Sequence, residues 1–156
     1  MQRGCEGCPV MTDLLLAIAH HILVFGLVAM LAVERVLLRG SNIDFHRLAR
    51  VDTGYGALAG LILVVGACRV LFGGKGWEFY DGNPYFWAKV ATFILIGIVS
   101  IVPTVRYQAW ARLQKRYPAF TPPDKEVARV RTATGVQALL LVPLLVFAAM
   151  MARWPG

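Results

Sequence analysis

The amino-acid sequence predicts an all-α fold, an integral membrane protein built as a transmembrane bundle of four helices. The chain has 156 residues, of which 58% are hydrophobic, and its mean hydropathy is +0.60. These residues form four long blocks, whereas a water-soluble domain places them in short periodic stripes. Each block approaches the roughly 20 residues that a helix needs to cross a hydrocarbon core of about 30 Å.

Each hydrophobic block is bounded by charged residues, glycine or proline, and these residues set the limits of a span. Because a helix satisfies its own backbone hydrogen bonds, such blocks predict helices that cross the bilayer. Together they form one transmembrane domain over residues 14–152. The predicted spans are residues 14–38, 53–72, 85–106 and 131–152.

The formal net charge of +7 reflects membrane topology rather than nucleic-acid binding, because the basic residues crowd two of the three loops. The second loop holds Lys75 against Glu78 and Asp81. Cytoplasmic loops carry an excess of Lys and Arg, so we expect both termini on the outer side of a bacterial inner membrane. The basic residues are Arg35, Arg39, Arg47 and Arg50 around the first loop, and Arg106, Arg112, Lys115, Arg116, Lys125, Arg129 and Arg131 around the third.

Residues 1–13 are predicted to lie outside the membrane, and the first ten read as an extension ahead of a natural start at Met11. Cys5 and Cys8 form a CxxC pair that offers two thiol ligands, whereas a structural zinc site needs four. Cys68 reads as a small packing residue within the second span.

Small residues in the second span predict close helix packing. Gly56-Ala57-Leu58-Ala59-Gly60 has the small-xxx-small spacing that lets two helix backbones approach each other. With Gly54 and Gly66 added, this helix is expected to form the tightly packed centre of the bundle.

Four ionisable side chains within the hydrophobic blocks are candidate functional residues, because ionisable groups are costly in the hydrocarbon. His20 and His21 lie roughly 9–10 Å from the outer end of the first span, at a rise of 1.5 Å per residue. Lys89 lies about 6 Å into the third span, and Arg69 about 5 Å from the outer end of the second. The predicted topology therefore brings all four to similar depths.

Two imidazoles, a guanidinium and an ammonium suit an anionic ligand or a haem. In the haem interpretation His20 or His21 ligates the iron, while Arg69 and Lys89 hold propionates or assist proton transfer. In the alternative interpretation, Lys89 and Arg69 extend to the headgroups and the histidines hydrogen-bond across helices.

Two acidic residues lie at the predicted inner ends of the helices, where Glu34 closes the first span and Asp52 opens the second. The favoured interpretation is that both pair with nearby arginines at the interface. Since Glu34 lies fourteen residues after His20, both face one side of the helix, and a proton path along that face is the alternative.

Three short motifs carry a resemblance to known proteins. The chain resembles a family of small bacterial four-helix membrane proteins of unknown function, and more distantly the HemJ-type protoporphyrinogen oxidases and CopD-like membrane domains. The motifs are Ala19-His20-His21, Glu34-Arg35-Val36-Leu37-Leu38 and Phe86-Trp87-Ala88-Lys89.

The HemJ-type resemblance implies haem b binding through His20 or His21 and an essential role for Lys89. Two positions depart from that pattern, since Ser100 and Glu34 stand where the HemJ-type proteins carry His and Pro. The preferred hypothesis is a haem- or porphyrin-binding membrane oxidoreductase, with Lys89 as its catalytic residue.

The alternative hypothesis is a non-enzymatic membrane component, either a subunit of a larger complex or a small transporter. Metal-ion handling by His20 and His21 with the N-terminal cysteines, Cys5 and Cys8, ranks last, because carboxylate and Met-rich ligand clusters are missing. The lipid bilayer is the expected partner, nucleic acid is not, and homo-oligomerisation is left open.

Overall fold

The computed structural model describes residues 8–40, 43–72 and 76–154. Within these ranges all regular secondary structure is helical. Four helices are long and apolar enough to span a membrane, which confirms the predicted fold class. The helices are α1 (Cys8–Leu37), α2 (Phe45–Phe72), α3 (Gly76–Asp81), α4 (Pro84–Arg116) and α5 (Asp124–Ala152).

Three of the long helices extend beyond the predicted spans at the end that holds the two basic loops, whereas α1 extends at the opposite end, beginning at Cys8 rather than at residue 14. Helix α2 begins at Phe45 rather than at residue 53, α4 continues to Arg116 rather than ending at residue 106, and α5 begins at Asp124 rather than at residue 131. Hydrophobicity marks only the stretch suited to lipid, whereas helical hydrogen bonding continues through the polar turns that follow. The six-residue α3 was not predicted from the sequence, because so short a helix has no readable periodicity.

The four long helices form a ring in which α1 contacts α2, α2 contacts α4, α4 contacts α5, and α5 contacts α1. Short connections make consecutive long helices antiparallel. The start of α1, the end of α2, α3, the start of α4 and the end of α5 therefore share one end, here called the terminal end. The opposite end holds the two basic loops and is called the basic end.

Asn83 fixes the start of α4 at the terminal end. Its side-chain oxygen accepts a hydrogen bond from the Tyr85 backbone N–H at 3.0 Å, and its side-chain nitrogen donates to the Met151 carbonyl at 3.4 Å. Pro84 follows in the first turn, where its missing N–H costs nothing. Asn83 is completely buried, so this one side chain both caps α4 and ties it to the end of α5.

The glycines of α2 pack differently from the prediction. An added Cβ at Gly56 or Gly60 would meet nothing within 4 Å, so the expected close packing of this pair inside the bundle is wrong. Helix α2 instead packs against α1 at two other points. A Cβ added at Gly54 would lie 3.4 Å from the Met30 side chain of α1, and a Cβ added at Gly26 of α1 would lie 3.3 Å from the Leu58 side chain of α2. The spacing of the small residues predicts a helix face without large side chains, but it does not predict whether that face points into the bundle or away from it.

At the basic end, Glu126 of α5 connects two side chains of α4. One carboxylate oxygen accepts from the Trp110 indole N–H at 3.2 Å, and the other lies 3.1 Å from the Arg106 guanidinium. Trp110 is 1% exposed and packs edge-on against Phe45 of α2, with the ring centroids 5.5 Å apart. The carboxylate therefore accepts the hydrogen bond of the indole N–H, which is the polar group of an otherwise apolar side chain in the core.

Replacing Glu126 with alanine is expected to lower the free energy of unfolding by about 1–3 kcal/mol, because it leaves the buried Trp110 N–H without an acceptor. The half-exposed ion pair with Arg106 adds little to this figure. Asp124→Ala removes the same charge from an exposed position in the same turn and serves as the control. Reversible unfolding in mixed micelles measures both; equal losses in the two variants would contradict the assignment.

Candidate functional site

A cavity of about 580 Å³ lies at the terminal end between α1, α2 and α4, with α3 beside it. We call it the His20 pocket. Its basic and imidazole side chains are His20, Arg69 and Lys89, one from each of three helices. The rest of the wall is almost entirely apolar. These other residues are Ile62, Leu63, Gly66, Ala67, Val70, Leu71, Trp77, Tyr80, Phe86, Val90, Phe93, Ile94 and Met151.

The two adjacent histidines have different environments, because neighbouring side chains on a helix point about 100° apart. His20 is partly buried and lines the pocket. Its Nδ1 atom is buried and has no hydrogen-bond partner among the described residues. His21 is exposed, and its Nδ1 lies 2.7 Å from the Ala17 carbonyl oxygen of its own helix. The structure thus places His20 in the pocket and His21 outside it.

Gly66 of α2 faces the imidazole of His20. A Cβ added at Gly66 would lie 3.8 Å from the His20 Cε1 atom. The glycine therefore leaves the space beside the ring open, and a larger side chain at this position would occupy part of the pocket.

Arg69 and Lys89 give the pocket a positive character. The Arg69 Nε lies 3.7 Å from an Asp13 carboxylate oxygen, beyond hydrogen-bond distance. Asp13 stands just before the predicted first span, and sequence reasoning did not select it. Lys89 forms no ion pair with a carboxylate in the described part of the chain. Among the described residues, the Asp13 carboxylate is thus paired with one of the two cations, and the positive charge of Lys89 is available to an anionic group.

The short helix α3 covers the membrane-surface side of the pocket with aromatic rings. Tyr80 is 7% exposed and packs against Phe86, with the ring centroids 5.3 Å apart. Burial raises the pKa of the Tyr80 phenol, so the group stays neutral at physiological pH. The mouth of the pocket therefore adds an uncharged, partly apolar surface to the cationic side chains.

A second polar group lies deeper in the bundle, towards the basic end, and is here called the Glu34 cluster. All four long helices contribute to it, and its side chains are almost completely buried except that of Thr104, which is partly buried. Thr104 donates to Asp52 at 2.9 Å, and Gln137 donates to Tyr55 at 3.5 Å. Its members are Glu34, Asp52, Tyr55, Thr104, Tyr107 and Gln137.

The expected pairing of Glu34 and Asp52 with arginines is not what the structure shows. Among the described residues the ion pairs are Arg69 with Asp13 and Arg106 with Glu126. Glu34 is 1% exposed and points into the bundle, because its position on α1 continues the buried stripe of Leu27 and Leu31. The Glu34 Oε1, Tyr107 hydroxyl and Gln137 Oε1 have no hydrogen-bond partner within the described ranges.

An apolar layer separates the His20 pocket from the Glu34 cluster. Leu27 and Leu31 lie between the two sites along α1, and they pack against Ile62 of the pocket wall on one side and the Tyr55 ring of the Glu34 cluster on the other. The helix face that carries His20 and Glu34 is therefore interrupted by hydrocarbon side chains. The two polar sites are chemically distinct.

The described part of the chain contains no group of three or more His, Cys, Asp or Glu side chains able to hold a metal ion. Cys5 lies outside the described residues, and the side chain of Cys8 is not described either. Cys68 is a free, partly buried thiol. The interpretation that the two thiols of the CxxC pair are too few for a structural zinc site therefore stays a prediction from the sequence.

Four long apolar helices that gather their polar side chains into internal sites define an integral membrane protein. The chain belongs to the family described as predicted membrane protein (DUF2214), whose model matches residues 12–156. No curated protein and no solved structure matches the chain. The resemblance to HemJ-type and CopD-like proteins rests on the three short motifs.

Proposed function

We propose that this membrane protein binds a haem, or a porphyrin with the same carboxylate groups, in the His20 pocket and has a redox role. One observation carries the proposal: a partly buried imidazole with an unpaired nitrogen shares an apolar cavity with Arg69 and Lys89. The ligand that fits is amphipathic, with a flat apolar body, anionic side groups and an atom that accepts an imidazole donor.

The residues present fit a haem b group. Ligand cavities of about 300–1,000 Å³ are typical, and the His20 pocket has about 580 Å³. Its wall is mostly apolar, as a porphyrin ring requires, and the His20 imidazole that lines it is a nitrogen ligand of the kind that haem iron accepts. Arg69 and Lys89 would hold the propionates. A bound haem would supply one-electron redox chemistry.

The chain's own residues then have separate tasks. His20 binds and orients the group from α1, while Arg69 and Lys89 fix its anionic side from α2 and α4. Lys89 is also the residue that can donate or accept a proton at its Nζ atom, which is the catalytic role we assign to it. His21 lies outside the pocket, so the iron ligand is assigned to His20 alone.

Replacing His20 with alanine is expected to abolish the shifted, sharpened Soret band of protein-bound haem when purified protein is titrated with haem, whereas His21→Ala keeps this band. The two variants remove the same side chain from adjacent positions, so they form a matched pair. Absorbance spectra in detergent measure the band, and elution as a single peak in size-exclusion chromatography shows that each variant is folded.

A Soret band that survives in His20→Ala, or is lost only in His21→Ala, would contradict the ligand assignment. Wild-type protein that stays colourless after haem supplementation would refute haem binding. If a partner protein then co-purifies, the alternative of a non-enzymatic membrane component is supported instead.

We also propose that the protein resides in a bacterial inner membrane with its terminal end outside. The loops at the basic end carry the excess of Lys and Arg that marks cytoplasmic loops. The His20 pocket then opens near the outer surface, and the Glu34 cluster lies near the inner one.

Cysteine labelling tests this orientation in a background in which the natural cysteines are serines. Gly82→Cys, exposed at the terminal end, should react with a membrane-impermeant maleimide added to intact cells. Thr121→Cys, exposed in the loop at the basic end, should react only after the cytoplasmic side is opened. The reverse pattern would overturn the orientation.

A further inference from the structure

A separate cavity of about 280 Å³ lies at the basic end, between the first turns of α2 and the last turns of α4. We call it the basic groove. Four of its lining side chains are basic or imidazole groups, and none is a carboxylate. They come from both helices, so the groove exists only because α2 and α4 pack together. Its lining is His46, Ala49, Arg50, Thr53, Gln108, Ala111, Arg112 and Lys115.

The floor of the basic groove is held in place by hydrogen bonds. Gln108 of α4 donates to the Thr53 hydroxyl of α2 at 3.4 Å, and Thr53 donates to the Ala49 carbonyl at 2.8 Å. The Arg112 Nε donates to the Gln108 carbonyl at 3.2 Å, which positions the guanidinium at the groove and leaves its terminal N–H groups for another acceptor. Contacts within and between the two helices therefore position the floor of the groove and the Arg112 side chain.

In the part of the chain that the structure describes, the cations of the basic groove form no ion pair with a carboxylate. Among the described residues, neither ion pair includes Arg50, Arg112 or Lys115. Guanidinium groups match the oxygens of a phosphate with parallel hydrogen bonds, and an ammonium adds a point charge. The side chains of the groove therefore suit an anion that carries several oxygen atoms.

The position of the groove indicates where that anion comes from. Helices α2 and α4 extend past their predicted spans at this end, so the groove lies at the level of the lipid headgroups. Basic pockets between transmembrane helices at this level bind anionic headgroups. We infer that the basic groove binds the phosphate group of an anionic phospholipid, independently of any ligand in the His20 pocket.

The test compares wild-type protein with two triple variants of equal charge. The groove variant is Arg50→Gln/Arg112→Gln/Lys115→Gln. The control is Arg116→Gln/Lys125→Gln/Arg129→Gln, which neutralises three exposed basic residues of the same end that do not line the groove. Binding of phosphatidylglycerol and of phosphatidylcholine is measured in detergent by native mass spectrometry and by the shift in Tm.

Wild-type protein and the control should bind phosphatidylglycerol in preference to phosphatidylcholine. The groove variant should bind it on the order of a hundredfold more weakly. Arg50→Gln alone, expected to weaken binding about fivefold, keeps the inference testable if the triple variant does not fold. Inorganic phosphate is tested separately. A shift in Tm with phosphate that is lost in the groove variant would show that the groove binds a free phosphate ion, and the absence of a shift would identify the lipid as the source of the phosphate group.

Equal weakening in the groove variant and the control would overturn the inference, because it would show diffuse attraction to the whole basic end. Equal binding of phosphatidylglycerol and phosphatidylcholine by wild-type protein would overturn it too. Neither result bears on the Soret band, so this inference and the haem proposal fail separately.

Discussion

The structure depends on one constraint: the hydrocarbon of a bilayer offers no hydrogen bonds, so polar groups within the spans must be enclosed by protein. The helices satisfy their own backbones, and their polar side chains collect inside the ring. The Glu34 cluster is the fullest example, because every long helix contributes to it and most of its side chains are almost completely buried. Outside it, the lipid-facing surfaces of the long helices are lined by exposed leucine, valine and isoleucine.

The same constraint distinguishes the two internal sites. The Glu34 cluster is buried within the bundle, and two hydrogen bonds in it join different helices, Thr104 to Asp52 and Gln137 to Tyr55. The His20 pocket is an open cavity with a mostly apolar wall, from which His20, Arg69 and Lys89 supply the basic and imidazole groups. A buried polar layer joins the helices, whereas an open cavity with an unpaired imidazole and two cations can accept a ligand. The leucines between them, Leu27 and Leu31, keep the two sites apart.

The sequence predicted the four helices because block length alone identifies a span. It also predicted that His20, Arg69 and Lys89 lie at one depth, since depth follows from counting residues along helices that cross together. The rotation of each helix about its own axis could not be predicted from the sequence. A turn of about 100° separates His21 from His20, and rotational phase also places Gly56 and Gly60 outside the contact with α1. Asp13 was missed because it stands just outside the predicted span.

The central claim is that the nitrogen of His20, and not of His21, is available to a ligand in the pocket. The chain has 3 histidines, so ring ¹⁵N signals of the labelled protein in nanodiscs can be assigned individually. Addition of zinc protoporphyrin, whose diamagnetic metal accepts one axial nitrogen, should give a large coordination shift for His20 alone. A coordination shift at His21, or no shift at any histidine, would contradict the account.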